Sequence, residues 1–221
     1  MHPDELNPIA DSIRDVFTAK NSARDATISG SRELIRFCSE CIRAIHRRDW
    51  DVAEARLATI REARDALLAG IAGYPDLIYT GYTRDALKEV VEAHATYAII
   101  RGTPLPDPDA LEVEVATYLN GLAEAATELR RFILDILRRP EGDTDEAERL
   151  LNWMDAVYDH LVTFDFPDAL TNGLRRQTDV VRGVLERTRG DLTNTVQQRR
   201  LHEALLRFEA RVVGEGGESG T

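Results

Sequence analysis

Lysine is nearly missing from this chain of 221 residues. Only Lys20 and Lys88 occur, and arginine supplies 26 of the 28 basic side chains. Against them stand 39 acidic residues, for a formal charge of -11. Abundant Asp and Glu with almost no Lys is the pattern of a salt-adapted, halophilic proteome, in which surface charge serves solubility in brine. Taken alone, the negative charge argues against nucleic acid as a partner, because phosphate binding needs cations. In concentrated salt it says little about the ligand, since such contacts are heavily screened. Aromatic residues are also few, at 6%. That is too few for a base-stacking platform, so any nucleic-acid binding would be mostly electrostatic and weakly sequence-specific. No apolar run reaches the roughly 18 residues of a membrane span. The opening MHPDELNPIADSIRD lacks the basic-then-apolar order of a secretion signal. The expectation is a soluble cytoplasmic protein with no membrane partner.

Cysteine is limited to Cys38 and Cys41, in RFCSECIRAIH. His46 follows five residues after Cys41, and on a helix that spacing turns it away from the thiols. A zinc site would also need a fourth ligand and usually a loop. The two cysteines are expected to be reduced and mostly buried on the inner face of an amphipathic helix.

What the chain has in quantity is helical periodicity, with no convincing strand. The length allows one substantial core. A first long helix is expected from about Asp4 to Arg48, interrupted near Gly30, and a second from near Asp49 to the glycines at 70–73. A third is expected from near Thr83 to Arg101. GTPLPDPDA is a loop, because its three prolines forbid a helix interior. A fourth helix is expected from Leu111 to Arg139, and a fifth from Asp145 to Phe164. A sixth begins near Pro167, and a seventh is capped by Asp191 or Thr193. The fold class is therefore all-α: a single-domain antiparallel bundle of about seven helices over residues 1–213, with a disordered tail at 214–221.

Within KEVVEAHATYAII, at 100° per residue, Leu87, Val90, Val91, His94 and Ala98 form the core stripe of the third helix. Glu89, Glu92 and Thr96 lie opposite, and Ile99 and Ile100 join them one turn on. The carboxylates thus sit on a second face that becomes apolar, as in a partly enclosed groove or an interface. His94 reads as a packed core histidine. On the fourth helix, Glu124, Glu128, Arg131 and Asp135 form a polar ridge across from the core stripe. Gly121 lies beside that ridge and would let another backbone come close. If the two faces meet, four carboxylates share one place and repel unless protonated or bridged by cations. Mg²⁺ suits hard oxygen ligands, and paired metals would activate water for phosphodiester hydrolysis. In a chain with 39 acidic residues, the same pairs also read as a solvated face, with Glu128 paired to Arg131.

Three stretches resemble the translin superfamily, which includes translin and translin-associated factor X. GSRELIRFCSECIRAIHR resembles the family's first long helix. KEVVEAHATY resembles the Gln-Glu-Tyr-Val-Glu-Ala segment of the factor X branch. YLNGLAEAATELRRFIL carries the most specific motif, with Tyr118, Leu119, Gly121, Ala123, Glu128, Leu129 and Arg131 in place. The resemblance spans roughly residues 14 to 213. It implies an all-helical protein that binds single-stranded RNA or DNA inside a hollow homo-oligomer, commonly an octamer, with a family paralogue as a conceivable co-subunit. It also implies that Glu89, Glu92, Glu124 and Glu128 are catalytic carboxylates that hold Mg²⁺ or Mn²⁺ for RNA cleavage. Two positions depart from the factor X pattern: Glu124 stands for its Asp, and Thr117 for another. Glu128 is shared with translin, whereas Glu89 and Glu92 are what translin lacks. With the lysine-poor composition, the chain resembles a haloarchaeal member.

The family's basic motif ahead of the catalytic helix matches Arg84, with Lys88 one turn on. Arg131, on the ridge of Glu124 and Glu128, could likewise steer a phosphate. Residues 171–213 hold nine arginines and five acidic residues. These arginines read either as a phosphate-contacting surface or as surface side chains paired with Asp179, Glu186 and Asp191. The leading expectation is a Mg²⁺-dependent endoribonuclease. A non-catalytic single-stranded nucleic-acid-binding protein and a helical scaffold for a protein partner are the rivals.

Overall fold

The computed structural model describes residues 3–139 and 142–216, with side chains from 4–139 and 142–211. After a single 3-10 turn at Pro3–Glu5 come eight α-helices: α1 (Leu6–His46), α2 (Trp50–Ile71), α3 (Pro75–Ile78), α4 (Gly81–Arg101), α5 (Val115–Leu137), α6 (Thr144–Leu161), α7 (Asp168–Thr171) and α8 (Leu174–Gly216). No strand occurs among the described residues, so the chain is all-α. No helix among them is long and apolar enough to cross a membrane.

Helix α4 is the centre of the assembly. It packs on α1 on one side and on α5 on the other, while α6 and α8 close over α5. The main core joins Leu34 and Ile45 of α1, Ile60 of α2, Val90 and Ile99 of α4, Leu129 and Ile133 of α5, and Met154 of α6. This double-sided packing explains why α4 turns apolar beyond its glutamates: Thr96, Ile99 and Ile100 are all buried. The end of α4 is pinned by Arg149 of α6, which donates to the carbonyls of Ile99 (2.8 Å) and Ile100 (3.0 Å). Gly102 follows in the left-handed conformation at φ 70°, the usual helix terminator.

Several expected boundaries move. Helix α1 runs through Gly30 without interruption. A Cβ there would lie 3.2 Å from Leu67 Cδ1, so glycine makes room for α2. The fourth helix starts at Val115 and not at Leu111, because Glu112 adopts a positive φ of 50° and ends a turn that buries Leu111. The sixth and seventh helices are one. Gly190 costs about 1 kcal/mol in a helix interior, but burial of Leu185, Thr188 and Leu192 outweighs it. Asp191 is therefore no cap. Its carboxylate pairs with Arg130 at 2.8 Å, and its carbonyl accepts from Thr195 Oγ1. Thr193 likewise lies inside α8. Pro167 caps the short α7, and Asn172 (φ 50°) with Gly173 (φ 82°) turns the chain into α8. Of the expected tail, 214–216 end α8, and 217–221 lie outside the described residues.

Candidate functional site

The site is set by how closely α4 and α5 approach. At Gly121 a Cβ would fall 2.6 Å from the Lys88 carbonyl oxygen and 2.6 Å from Val91 Cβ. Only glycine permits that contact without a backbone shift. Glu89 and Glu92 of α4, which adjoin the two contact residues, are thereby brought against Glu124, one turn beyond Gly121 on α5. One carboxylate oxygen from each lies within 4.8 Å of the others, and all three residues are partly buried.

Partial burial and mutual repulsion act on these acids together. Burial, then the charges of Glu89, Glu124 and Glu128, push the Glu92 carboxyl up to about 8. Glu89 is also raised, by burial and then by Glu124. Burial works against the Lys88 ammonium, yet its hydrogen bond to Glu124 and that carboxylate's charge outweigh this and raise it. A divalent cation suits this donor set: three hard oxygens, and a like-charge strain that a cation would relieve.

Glu128 stands apart from the three. It is held by His46, the last residue of α1, whose Nε2 meets Glu128 Oε1. The hydrogen bond from His46 lowers the Glu128 carboxyl, against burial. Arg131 Nη1 lies 3.9 Å from the same oxygen and is largely exposed. Nothing local in the sequence links His46 to a residue 82 positions away, so its pairing with Glu128 emerges only in the fold. His46 Nδ1 is buried without a hydrogen-bond partner, and the ring lies 5.9 Å from Phe132.

Cys38 and Cys41 are free and buried. Burial raises both thiols, Cys41 to about 12, and the charge of Glu89 adds to the rise at Cys38. His94 sits on the core stripe, its Nδ1 2.8 Å from the Val90 carbonyl, and burial lowers it.

The cations divide into paired and unpaired. Lys88 Nζ lies 2.8 Å from Glu124 Oε1, and Gln177 Nε2 donates to the same oxygen at 3.0 Å. Arg84 donates at 3.4 Å to Asn172 Oδ1 and stacks 5.4 Å over Tyr79. On α8, Arg182 pairs with Asp179 at 3.4 Å and Arg189 pairs with Asp155. Arg48 pairs with Glu146 at 2.6 Å. The guanidinium of Arg176 has no hydrogen bond or ion pair among the described residues, and sequence reasoning did not separate it from its neighbours.

No protein-family model matches the chain. An uncharacterized protein of Methanocaldococcus jannaschii is 33% identical over 208 residues, which cover 93% of this chain and 89% of that protein. Among solved structures, AfC3PO in complex with duplex RNA is 35% identical, with a TM-score of 0.78, over 86% of this chain and 97% of AfC3PO. A second structure, a crystal structure of AfC3PO, matches with the same identity and TM-score over 98% of its chain. Apo-NeC3PO matches at a TM-score of 0.76 and 19% identity, covering 88% of this chain and 98% of its own, a likeness of fold alone.

Proposed function

We propose, since the chain belongs to the translin superfamily, that it is an RNA-binding, homo-oligomeric endoribonuclease whose site is Glu89, Glu92, Glu124 and the adjoining Glu128. The observation that carries the reading is the convergence of three carboxylates from two helices, with Glu92 raised to about 8. The likeness to AfC3PO, whose structure was solved in complex with duplex RNA, supports RNA as the ligand.

A divalent cation, Mg²⁺ or Mn²⁺, would supply the activation of water and the stabilisation of the leaving oxygen. The chain's own residues do the rest. Glu89, Glu92 and Glu124 present the oxygens that hold it. Glu92, its carboxyl raised to about 8, holds a proton near neutrality and would have to release it to join that donor set. His46 keeps Glu128 ionised and fixed beside the cluster. Arg84, Lys88 and Arg131 bring phosphates to this face.

Exposed apolar side chains support assembly. Leu6, Ile9, Ile13, Val16 and Phe17 form a stripe along the first half of α1, and Leu201, Leu205 and Phe208 form one along the last part of α8. Stripes of this size on exposed helices mark protein contacts. A closed homo-oligomer, such as the octamer that the resemblance implies, would cover them, and a paralogue could occupy some positions. The acidic, lysine-poor composition fits a salty cytoplasm.

The test is cleavage of a labelled RNA at high KCl with Mg²⁺, with Mn²⁺ and with chelator. Cutting should need the cation and vanish in the Glu89→Gln/Glu92→Gln protein. A double variant that cuts like the native protein would refute the site. A second reading, a non-catalytic RNA-binding shell, is favoured by one observation: Lys88 and His46 already serve as partners of Glu124 and Glu128. Tight binding with no cutting under either cation would select it.

A further inference from the structure

Beside Glu124, where α4, α5 and the start of α8 come together, lies a cavity of about 340 Å³ whose lining does not include Glu89 or Glu92. Arg84 and Lys88 line it from α4, and Arg176 and Gln177 from the start of α8. Asn172 lines it from the α7–α8 turn, with Glu124 as the shared wall and Asp85 as the other carboxylate. Three cations therefore face one concavity. Lys88 alone has an ion-pair partner there. Arg84 Nε is buried with no hydrogen-bond partner, and the Arg176 guanidinium is unpaired among the described residues. Arg175, its neighbour on α8, also has no ion pair among the described residues but lies outside the lining, so Arg176 is set apart by its place in the pocket. Cations gathered in one pocket without enough counter-charge repel each other unless an anion arrives.

We propose that this pocket is a phosphate subsite: Arg84, Lys88 and Arg176 hold one phosphoryl group of the bound RNA, next to the phosphodiester presented to the glutamates. The inference rests on the RNA-binding reading above and adds to it a specific seat for the strand. Glu124 couples the two places. It faces Glu89 and Glu92 on one side, while on the other it accepts from Lys88 and Gln177. When Glu124 shares its charge with a divalent cation, Lys88 and Gln177 are freed as donors to the pocket. Cation and RNA phosphate then strengthen each other's binding, and such coupling is reciprocal.

The test is equilibrium binding of a short fluorescent oligoribonucleotide, made with a 5′-phosphate and with a 5′-hydroxyl. Affinity is measured by anisotropy across a KCl series, with Ca²⁺ or with EDTA. Arg176→Gln, at an exposed position, should weaken binding about tenfold. It should also lower the salt slope by about one. Arg175→Gln, exposed beside it but outside the pocket, should change neither. Ca²⁺ should tighten the native protein more than Lys88→Gln. An equal loss for both oligonucleotides assigns the seat to an internal phosphodiester, and a loss confined to the phosphorylated one assigns it to the strand end. Arg176→Gln that binds like the native protein with the same salt slope overturns the subsite alone. A native protein that binds neither oligonucleotide overturns the RNA-binding reading as well.

Discussion

Gly121 of α5 sits against the Lys88 carbonyl of α4 so closely that a methyl group there would lie 2.6 Å from the oxygen. The two helices can bring glutamates together because this position has no side chain.

Gly121→Ala should therefore push the helices apart. The expected loss is about 1–3 kcal/mol of stability, the range for forcing extra volume into a packed seam. Cation binding should weaken with it. Urea unfolding and a Mn²⁺ titration of the same variant check both. Unchanged values in both would mean that the close approach has no part in building the site.

The raised carboxyl of Glu92 makes a prediction about pH. Its folded value is about 8 against an ordinary 4.5, so the folded state holds the proton more tightly than the unfolded chain. The stability this contributes is full below about pH 4.5 and is lost as pH rises through about 8. In chelator the melting temperature should fall across that window. Mg²⁺ should reverse the fall at its alkaline end, and Glu92→Gln should flatten it. Melting curves from pH 5 to about pH 9 with and without Mg²⁺ read all three.

His46 and Glu128 predict the opposite slope. Glu128 is lowered by His46, so the stability from this pair is present above the ordinary carboxylate range and lost as pH falls through it. His46→Ala should cost about 1–3 kcal/mol at neutral pH, the range for a broken buried hydrogen bond to a charge. The gap from the native protein should narrow in acid. A gap that stays constant with pH would leave His46 a packing role only.

The exposed apolar stripes predict assembly. Phe17→Asp on α1 or Leu205→Asp on α8 should lower the oligomer mass, because each places a charge within an apolar contact. Light scattering at matched concentration measures it. Both variants at native mass would direct attention to other surfaces.

Helical periodicity alone placed Glu89 and Glu92 on one face and Glu124 with Glu128 on another, since a 3.6-residue repeat is written into the chain. That the faces meet was a matter of resemblance, because spacing within one helix says nothing about its neighbour. His46 was out of reach for the same reason: its partner is 82 residues away. The helices α3 and α7, four residues each, are too short to show a period. The joining of the last two expected helices into α8 went unread because Gly190 looks like a stop. Burial of Leu185 and Leu192 against the bundle overrides it. The pocket at Arg84, Lys88 and Arg176 needs the α7–α8 turn, where left-handed Asn172 and Gly173 break what reads in the sequence as one helix running on from Pro167.

Anomalous scattering from crystals soaked in MnCl₂ tests the three-carboxylate cation site itself. A manganese peak ligated by one oxygen each from Glu89, Glu92 and Glu124, with Lys88 turned away from Glu124, is the expected result. Crystals with no peak there, and with Lys88 still on Glu124, would contradict it.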